Sequence, residues 1–309
     1  MNLIMFLKLI RWKNLLMIAC IQILFKYVYF PTFAVAISLS NIDFLLLVLA
    51  TVTIAAAGYI INDIYDVEAD KINKPKKVFL VEKINVKLAF TYYHILNIVG
   101  ILSGFYIAYI VDRISFVAIF LITALLLKVY NTDLKKLPII GNIIISLLVS
   151  LSILIVGIFD IIPSITLENG EDQFYAFEVL KDYAIFAFMF MLIREMVKDI
   201  EDVEGDNILN MRTLPLVLGI KKTKYIVFFL SFIPLTLVTY YSFQNFIEFP
   251  FILAYMLIVV LLPLLHFMTK ILYATSKEDY TYAGRLLKII MLLGMLSIVF
   301  VSITIYYAE

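Results

Sequence analysis

Charged residues are scarce in this chain. Of its 309 residues only 16% are Asp, Glu, Lys or Arg, 63% are hydrophobic, and the mean hydropathy is +1.01. Soluble chains carry about a quarter charged residues, so the composition excludes a water-soluble globule. The formal net charge of +1 argues against a nucleic-acid partner. The single cysteine, Cys20, cannot form an internal disulfide, which excludes a disulfide scaffold.

Long apolar runs occupy most of the sequence. A helix needs about 20 mostly apolar residues to cross a bilayer, and nine runs approach that length while being too uniformly apolar for barrel strands. We therefore expect an all-α fold, a polytopic membrane bundle of nine transmembrane helices that forms one domain over residues 1–309. The predicted spans are Leu15–Ser38, Phe44–Ile61, Leu88–Val111, Ser115–Val129, Ile139–Phe159, Tyr183–Val197, Tyr225–Phe243, Pro250–Met268 and Leu286–Tyr306.

The basic residues predict the orientation of this bundle. Lys and Arg accumulate on the cytoplasmic side of membrane proteins. With the N-terminus inside, all of them except Lys26, Arg113 and Lys181 fall at cytoplasmic helix ends or loops. The first apolar run is too long for a signal peptide and has no small-residue cleavage pattern, so we expect it to stay as a span. The sequence thus predicts a multi-pass protein of the cell membrane, in contact with membrane lipids.

Two acidic segments follow the second and the sixth predicted spans. On a helix, residues four apart lie on one face, so each segment ends its span in a stripe of polar side chains. The repeating positions are Asn62, Asp66 and Asp70 in the first segment, and Arg194, Lys198, Asp202 and Asp206 in the second, with Asp199 close to the same face.

These stripes favour a divalent metal. Like charges four residues apart repel by roughly 0.2–0.5 kcal/mol on a helix, so two such stripes need compensation. Mg²⁺ takes one or two carboxylates and leaves positions for water and phosphate oxygens. Two facing stripes are suited to two Mg²⁺ ions around a diphosphate, to which Arg194 and Lys198 add donors. Acids in a cytoplasmic loop usually only solvate a surface, but two stripes of equal spacing make that interpretation weaker.

In the residues of these two acidic segments and their spacing, the chain resembles the UbiA superfamily of intramembrane prenyltransferases. Members carry the motif N-D-x-x-D-x-x-x-D after the second span and Y/R-x-x-x-K-x-x-x-D-x-x-x-D after the sixth. Here the first motif is Asn62, Asp63, Asp66 and Asp70, and the second is Arg194, Lys198, Asp202 and Asp206. Within the superfamily, the two segments are most similar to the branch that transfers a geranylgeranyl group to geranylgeranylglycerol phosphate.

The resemblance implies an enzyme that moves a polyprenyl group, by this branch a geranylgeranyl group, from its diphosphate to a lipophilic acceptor, with Mg²⁺ as cofactor and a site that faces the cytoplasm. Asp66, Arg194, Lys198 and Asp202 are the expected catalytic residues. The expected substrate-binding residues are Asn62, Lys74, Lys77, Tyr130, Lys135, Asn142 and Lys198. The expected metal ligands are Asn62, Asp63, Asp66, Asp70, Asp199, Asp202 and Asp206.

Two other functions remain open at this point. The first is a UbiA-type aromatic prenyltransferase of quinone synthesis, with 4-hydroxybenzoate or dihydroxynaphthoate as acceptor. The second is a cation-coupled membrane transporter, whose acids would line an ion path. Acids of transporters usually lie near the bilayer midplane at broken helices, whereas these lie at helix ends beside lysines, so the transporter is the more distant alternative.

Overall fold

The computed structural model describes residues 3–73 and 85–306, and within these ranges it contains helices and no strand, which confirms the all-α prediction. The helices are α1 Leu3–Leu9, α2 Trp12–Thr32, α3 Asn41–Tyr65, α4 Val67–Asn73, α5 Val86–Ile110, α6 Val117–Thr132, α7 Ile140–Asp160, α8 Gly170–Glu201, α9 Val203–Ile208, α10 Leu214–Leu218, α11 Ile220–Phe246, α12 Pro250–Tyr273 and α13 Lys277–Tyr306.

Eight of these helices are long and apolar enough to cross a membrane: α2, α3, α5, α6, α7, α11, α12 and α13. They coincide with eight of the nine predicted spans. The remaining prediction, Tyr183–Val197, lies inside α8. The apolar part of α8 is short, because Lys181 and Asp182 precede it and Arg194, Glu195 and Lys198 follow it.

Prolines account for three departures from regular α-helix. A π-helical turn at Phe25–Tyr29 directly precedes Pro31 in α2, and another at Met256–Leu261 precedes Pro263 in α12. In α11 the helix is interrupted at Ser231, three residues before Pro234. Proline has no backbone N–H and clashes with the carbonyl of the preceding turn, so helices bend or widen just before it.

Lys26, which lies in the interior of the first predicted span, has a buried partner. Its Nζ lies 2.7 Å from Oδ2 of Asp160, and the two side chains are 1% and 0% exposed. Asp160 also accepts the backbone N–H groups of Ser38 and Leu39, at 3.0 and 2.9 Å. Charges in a bilayer are tolerated when they are paired and hydrogen-bonded inside the bundle. This pair fixes the connection between α2 and α3 to the end of α7, at the end of the bundle opposite the acidic segments.

Candidate functional site

The two acidic segments have the same backbone geometry. The backbone breaks between α3 and α4 at Asp66 (φ −92°, ψ 4°) and between α8 and α9 at Asp202 (φ −97°, ψ 5°). The N–H groups of Asp66 and Asp202 still donate to the carbonyls of Asn62 and Lys198, four residues earlier, at 2.9 Å. Each central aspartate thus lies where a long helix turns into a short one, and the four-residue spacing is preserved.

The short helices α4 and α9 pack closely together at Gly205. Its backbone N–H donates to Oδ1 of Asn73 at 3.1 Å, and Nδ2 of Asn73 donates to the carbonyl of Asp202 at 2.8 Å. A Cβ atom at position 205 would lie 2.3 Å from Asn73 Nδ2 and 2.7 Å from the carbonyl oxygen of Ala69. Both distances are too short for a Cβ atom, so only glycine fits at this position. Gly205 and Asn73 therefore join the two acidic segments. Neither residue was predicted from the sequence, although a glycine inside an acidic helical stretch is a signal of close backbone approach.

We call the polar depression between these segments the carboxylate cleft. In the described part of the chain it takes in every predicted site residue except Asp63 and Arg194, while Lys74 and Lys77 lie outside the described residues. The cleft also contains Asn73 and Glu195, which the sequence analysis did not select. The predicted residues that line it are Asn62, Asp66, Asp70, Tyr130, Lys135, Asn142, Lys198, Asp199, Asp202 and Asp206.

Lysines and amides face the acids across the cleft. Lys135 Nζ contacts Oδ1 of Asp66, and Asn62 Nδ2 donates to Oδ2 of the same carboxylate at 2.7 Å. Asn142 Nδ2 donates to Oδ2 of Asp199 at 2.8 Å. The resemblance assigned Lys135 and Asn142 to this site, and the structure brings them there from the α6–α7 connection and the first turn of α7.

The electrostatic environment changes two ionisable groups at the end of α8. Burial raises the pKa of Asp199 to about 8, in spite of the hydrogen bond from Asn142. The carboxylate of Glu195 raises the pKa of the Lys198 ammonium above its ordinary value, against the lowering effect of burial. Lys198 is therefore charged at neutral pH. A cation bound beside Asp199 would favour its ionised form and lower its pKa.

The donor set of the cleft fits a magnesium ion shared with a ligand. Carboxylate and amide oxygens are the ligands that Mg²⁺ prefers, usually with one or two carboxylates and several waters or phosphate oxygens. Across residues 3–73 and 85–306, no three Asp, Glu, His or Cys side chains converge closely enough to hold a metal by themselves. The arrangement therefore suits Mg²⁺ that completes its coordination with oxygens of a bound anion.

Arg11, which lines an apolar cavity beside the cleft, holds the first motif through Asn62 and Asp63. One guanidinium nitrogen donates to Asn62 Oδ1 at 2.9 Å and to Asp63 Oδ1 at 2.7 Å, and the guanidinium carbon lies 4.9 Å from the centre of the Tyr59 ring. Asp63 is only 2% exposed and faces away from the cleft, as expected one residue, about 100°, further round the helix than Asn62. Asp63 therefore anchors Arg11, and Arg11 in turn orients Asn62, which also donates to Oδ1 of Asn131 at 2.9 Å.

Beneath the cleft lies an apolar cavity of about 180 Å³, which we call the inner cavity. The cleft and the inner cavity share Asn62, Tyr130, Glu195 and Lys198, so they adjoin along these side chains. Along α6 the lining extends from Tyr130 to the level of Phe120, about 15 Å at the rise of an α-helix. Phe120 is buried and forms the floor of the cavity.

Two neighbours hold Phe120 in place. Its ring packs on Phe159 with the centroids 5.5 Å apart, and it occupies the space that a Cβ of Gly104 would need. Three aromatic side chains line the inner cavity at different depths: Tyr59, Phe120 and Tyr130. A polar cleft above a deep apolar cavity is complementary to a molecule with a polyanionic head and a long apolar tail.

Arg194 lies on the wall of the inner cavity and not in the cleft. Its Nη1 donates to Glu195 Oε1 at 2.7 Å, and Glu195 Oε2 lies 3.5 Å from Lys198 Nζ. Glu195 is therefore shared between the two basic residues of the second motif. Arg194 points to the side of α8 that faces α2 and α13, whereas Lys198 borders both the cleft and the inner cavity.

Comparisons with known proteins agree with this geometry. The model of the UbiA prenyltransferase family matches residues 27–291. The digeranylgeranylglyceryl phosphate synthase of Methanosphaera stadtmanae is 30% identical over 259 residues, which cover 83% of this chain and 87% of that protein. The synthase of the same name from Sulfurisphaera tokodaii is 35% identical over 187 residues, and the match spans only 61% of its length.

Solved structures share the fold. A structure of a digeranylgeranylglyceryl phosphate synthase superposes with a TM-score of 0.64 at 27% identity, over 97% of this chain and 98% of that one. A UbiA homologue from Archaeoglobus fulgidus, solved with GPP and Mg²⁺, superposes with a TM-score of 0.55 at 18% identity, over 95% of this chain and 99% of that one.

The contact at Gly205 leads to a prediction about metal binding. Gly205→Ala should push α4 away from α9, so the two acidic segments should no longer bind one metal–diphosphate complex. A ligand that binds only the folded state raises the melting temperature. We expect Mg²⁺ with a non-hydrolysable prenyl diphosphate analogue to raise the melting temperature of the wild-type protein, and the variant to lose most of that shift. Gly170→Ala, where a Cβ meets open space, is the control. An undiminished shift in Gly205→Ala would contradict this role.

Proposed function

The chain belongs to the UbiA prenyltransferase family, and on this premise we propose that it transfers a geranylgeranyl group from geranylgeranyl diphosphate to a lipophilic acceptor, geranylgeranylglycerol phosphate. One observation carries the proposal: the carboxylate cleft adjoins the inner cavity along Asn62, Tyr130, Glu195 and Lys198. A prenyl diphosphate has a head that suits the first and a tail that suits the second. The curated relatives that match most of their length bear the name of a synthase of this kind.

In the proposed reaction the bond between C1 of the prenyl group and the diphosphate oxygen breaks, and the electron pair leaves with the diphosphate. The hydroxyl oxygen of the acceptor then bonds to C1, and the hydroxyl proton passes to the departed diphosphate. Lys198 and Lys135 are placed to donate to the departing diphosphate. Mg²⁺, when bound, neutralises diphosphate charge and thereby improves the leaving group.

The inner cavity protects and stabilises the reacting carbon. Tyr130 borders both the cleft and the inner cavity, so its ring lies where the head of the donor meets its tail. The face of that ring can stabilise the electron-poor C1 carbon by a cation–π contact, which is worth about 0.5–2 kcal/mol. The apolar walls keep water from capturing an electron-poor carbon.

We further propose that the cleft holds two Mg²⁺ ions, one at each acidic segment. The support is the matching geometry at Asp66 and Asp202, each with a second aspartate four residues on. The ligand set is Asn62, Asp66, Asp70, Asp202 and Asp206, with Asp199 beside it. Asp63 is omitted from the set because it is bound to Arg11.

The nine-span topology, with the N-terminus in the cytoplasm of the cell, also stands as a proposal. Helix α8 has 32 residues and is therefore about 48 Å long, which exceeds the roughly 30 Å hydrocarbon core. Its charged residues Arg194, Glu195 and Lys198 line the inner cavity, an arrangement by which charges are accommodated inside membrane bundles.

The metal proposal predicts the effect of removing one central aspartate. Asp66→Ala or Asp202→Ala should lower prenyl transfer by roughly a hundredfold or more, because each removes a metal ligand. EDTA should abolish transfer by the wild-type enzyme, and added Mg²⁺ should restore it. Glu204→Ala removes an exposed acid of α9 that does not line the cleft and serves as the control. Full activity without divalent metal would contradict the proposal.

The choice of acceptor is tested by product analysis. The purified protein is incubated with Mg²⁺, geranylgeranyl diphosphate and one acceptor at a time: geranylgeranylglycerol phosphate, 4-hydroxybenzoate or dihydroxynaphthoate. We expect a product of the mass of digeranylgeranylglyceryl phosphate with the first acceptor alone. A prenylated aromatic acid, with no product from geranylgeranylglycerol phosphate, would replace our proposal by the quinone-pathway alternative.

Labelling with a membrane-impermeant maleimide tests the topology. In a Cys20→Ala background, single cysteines are placed by Leu167→Cys and Lys277→Cys, both at exposed positions. If α8 crosses the membrane, the two positions lie on opposite sides, and Leu167→Cys alone should be labelled on intact cells. If α8 does not cross, both positions lie on the same side and should react alike.

A further inference from the structure

A second apolar cavity, of about 130 Å³, lies beside the inner cavity and is not used by the transfer described above. It is enclosed by α2, α7, α8, α11, α12 and α13. It shares the side chains of Ile18, Val149 and Ser152 with the inner cavity, so one layer of side chains separates the two. Its walls are predominantly apolar.

Three basic side chains from three helices lie close to one another near this second cavity. They are Lys13 of α2, Arg194 of α8 and Lys288 of α13. Lys288 Nζ donates to Oδ1 of Asn14, and the charges of Lys13 and Arg194 both act on Lys288. We call Lys13, Asn14, Arg194 and Lys288 the basic cluster. One carboxylate, Glu195, bonds to Arg194, but it is shared with Lys198, so the cluster keeps a net positive charge.

The cluster has donor capacity left for a ligand. Nε of Arg194 is buried and has no hydrogen-bond partner among the described residues, and the same holds for Nε of the neighbouring Arg11. Collecting like charges at the edge of an apolar bundle is unfavourable unless an anion compensates them. A phosphate monoester provides nearly two negative charges and three strong acceptor oxygens, and lysine and arginine are its usual partners.

Asn14 and Arg194 of the cluster line the inner cavity, and the cluster lies one helical turn from the second cavity. One helical turn from Asn14 along α2 is Ile18, one turn from Arg194 along α8 is Phe190, and about one turn from Lys288 along α13 is Met291. All three of these apolar residues line the second cavity. The site thus repeats the arrangement of cleft and inner cavity, with a charged head region next to an apolar space, but the charge is of the opposite sign.

We propose that the basic cluster binds the phosphate of the acceptor lipid and that the second cavity holds its apolar tail. This inference rests on the proposed transfer and adds to it where the second substrate lies. The prenyl donor then occupies the carboxylate cleft and the inner cavity, and the acceptor lipid occupies the basic cluster and the second cavity. Arg194, which the sequence analysis assigned to the departing diphosphate, serves the acceptor phosphate instead.

Binding of the acceptor phosphate to the basic cluster is tested by equilibrium binding of geranylgeranylglycerol phosphate to the detergent-solubilised full-length protein, in the absence of the prenyl donor. We expect Lys288→Met to weaken this binding about tenfold or more, because a charge-assisted hydrogen bond is lost. Lys288→Arg should retain most of the affinity. Lys277→Met, which removes an exposed lysine from the same helix, is the control. The dephosphorylated lipid, geranylgeranylglycerol, should bind weakly and equally to all of these proteins.

Two glycines of α13 test whether the second cavity holds the tail of the acceptor. A Cβ meets open space at both Gly294 and Gly284, but Gly294 lines the second cavity and Gly284 does not. We expect Gly294→Leu to fill the cavity and raise the KM for the acceptor about tenfold, with the KM for geranylgeranyl diphosphate unchanged. Gly284→Leu should change neither KM. Equal effects on both substrates, or none, would overturn the tail assignment.

The two proposals fail in different ways. If the acceptor binds with dependence on its phosphate and on Lys288 but no product forms, the proposed transfer is wrong while the cluster stands as a phosphate site. If Lys288→Met binds the acceptor as tightly as the wild type, the cluster assignment is wrong whatever the turnover. Binding of dioleoylphosphatidic acid distinguishes an acceptor site from a general site for membrane lipids. If it binds with the same dependence on Lys288 while acceptor turnover is insensitive to Lys288→Met, the cluster is a membrane-lipid site and the proposal is overturned.

Discussion

Repulsion among carboxylates gathered at one end of an apolar bundle is the constraint on which this structure depends. Asp66, Asp70, Asp199, Asp202 and Asp206 all border one cleft. Lys135, Lys198 and the side-chain amides of Asn62 and Asn142 compensate part of that charge. The contact of Gly205 with Asn73 keeps the two acidic segments together in spite of their repulsion. A divalent cation bound together with a diphosphate complements such a cleft, because the cation offsets the charge of the carboxylates and the lysines bind the diphosphate.

Opposite charge organises the neighbouring side of the bundle. Glu195, 6% exposed, lies between Arg194 and Lys198 and so separates the carboxylate cleft from the basic cluster. On our account this single carboxylate lies between the sites for two anionic heads, and Ile18, Val149 and Ser152 lie between the sites for two apolar tails. A membrane enzyme that joins two long lipids needs such a division, because both substrates arrive from the same bilayer.

The sequence was sufficient to predict the helical fold and the aspartates of the cleft, because both depend on periodic patterns, whereas Lys135 and Asn142 were assigned by the family resemblance. Apolar runs define spans, and a four-residue spacing places side chains on one face of a helix. The sequence could not predict contacts between segments distant in the chain. Asn73 meets Gly205 across 132 positions, and Lys288 meets Asn14 across 274. Asp63 was assigned to the metal because the family motif contains it, yet its helical phase directs it to Arg11.

The central claim is that the two acidic segments bind one metal–diphosphate head above the inner cavity. Anomalous diffraction from crystals with Mn²⁺ and geranylgeranyl thiolodiphosphate tests this claim most directly. Our account predicts metal peaks between Asp66 and Asp202, and a tail that runs past Tyr130 towards Phe120. Metal bound elsewhere, or a donor tail in the second cavity beside Met291, would contradict it.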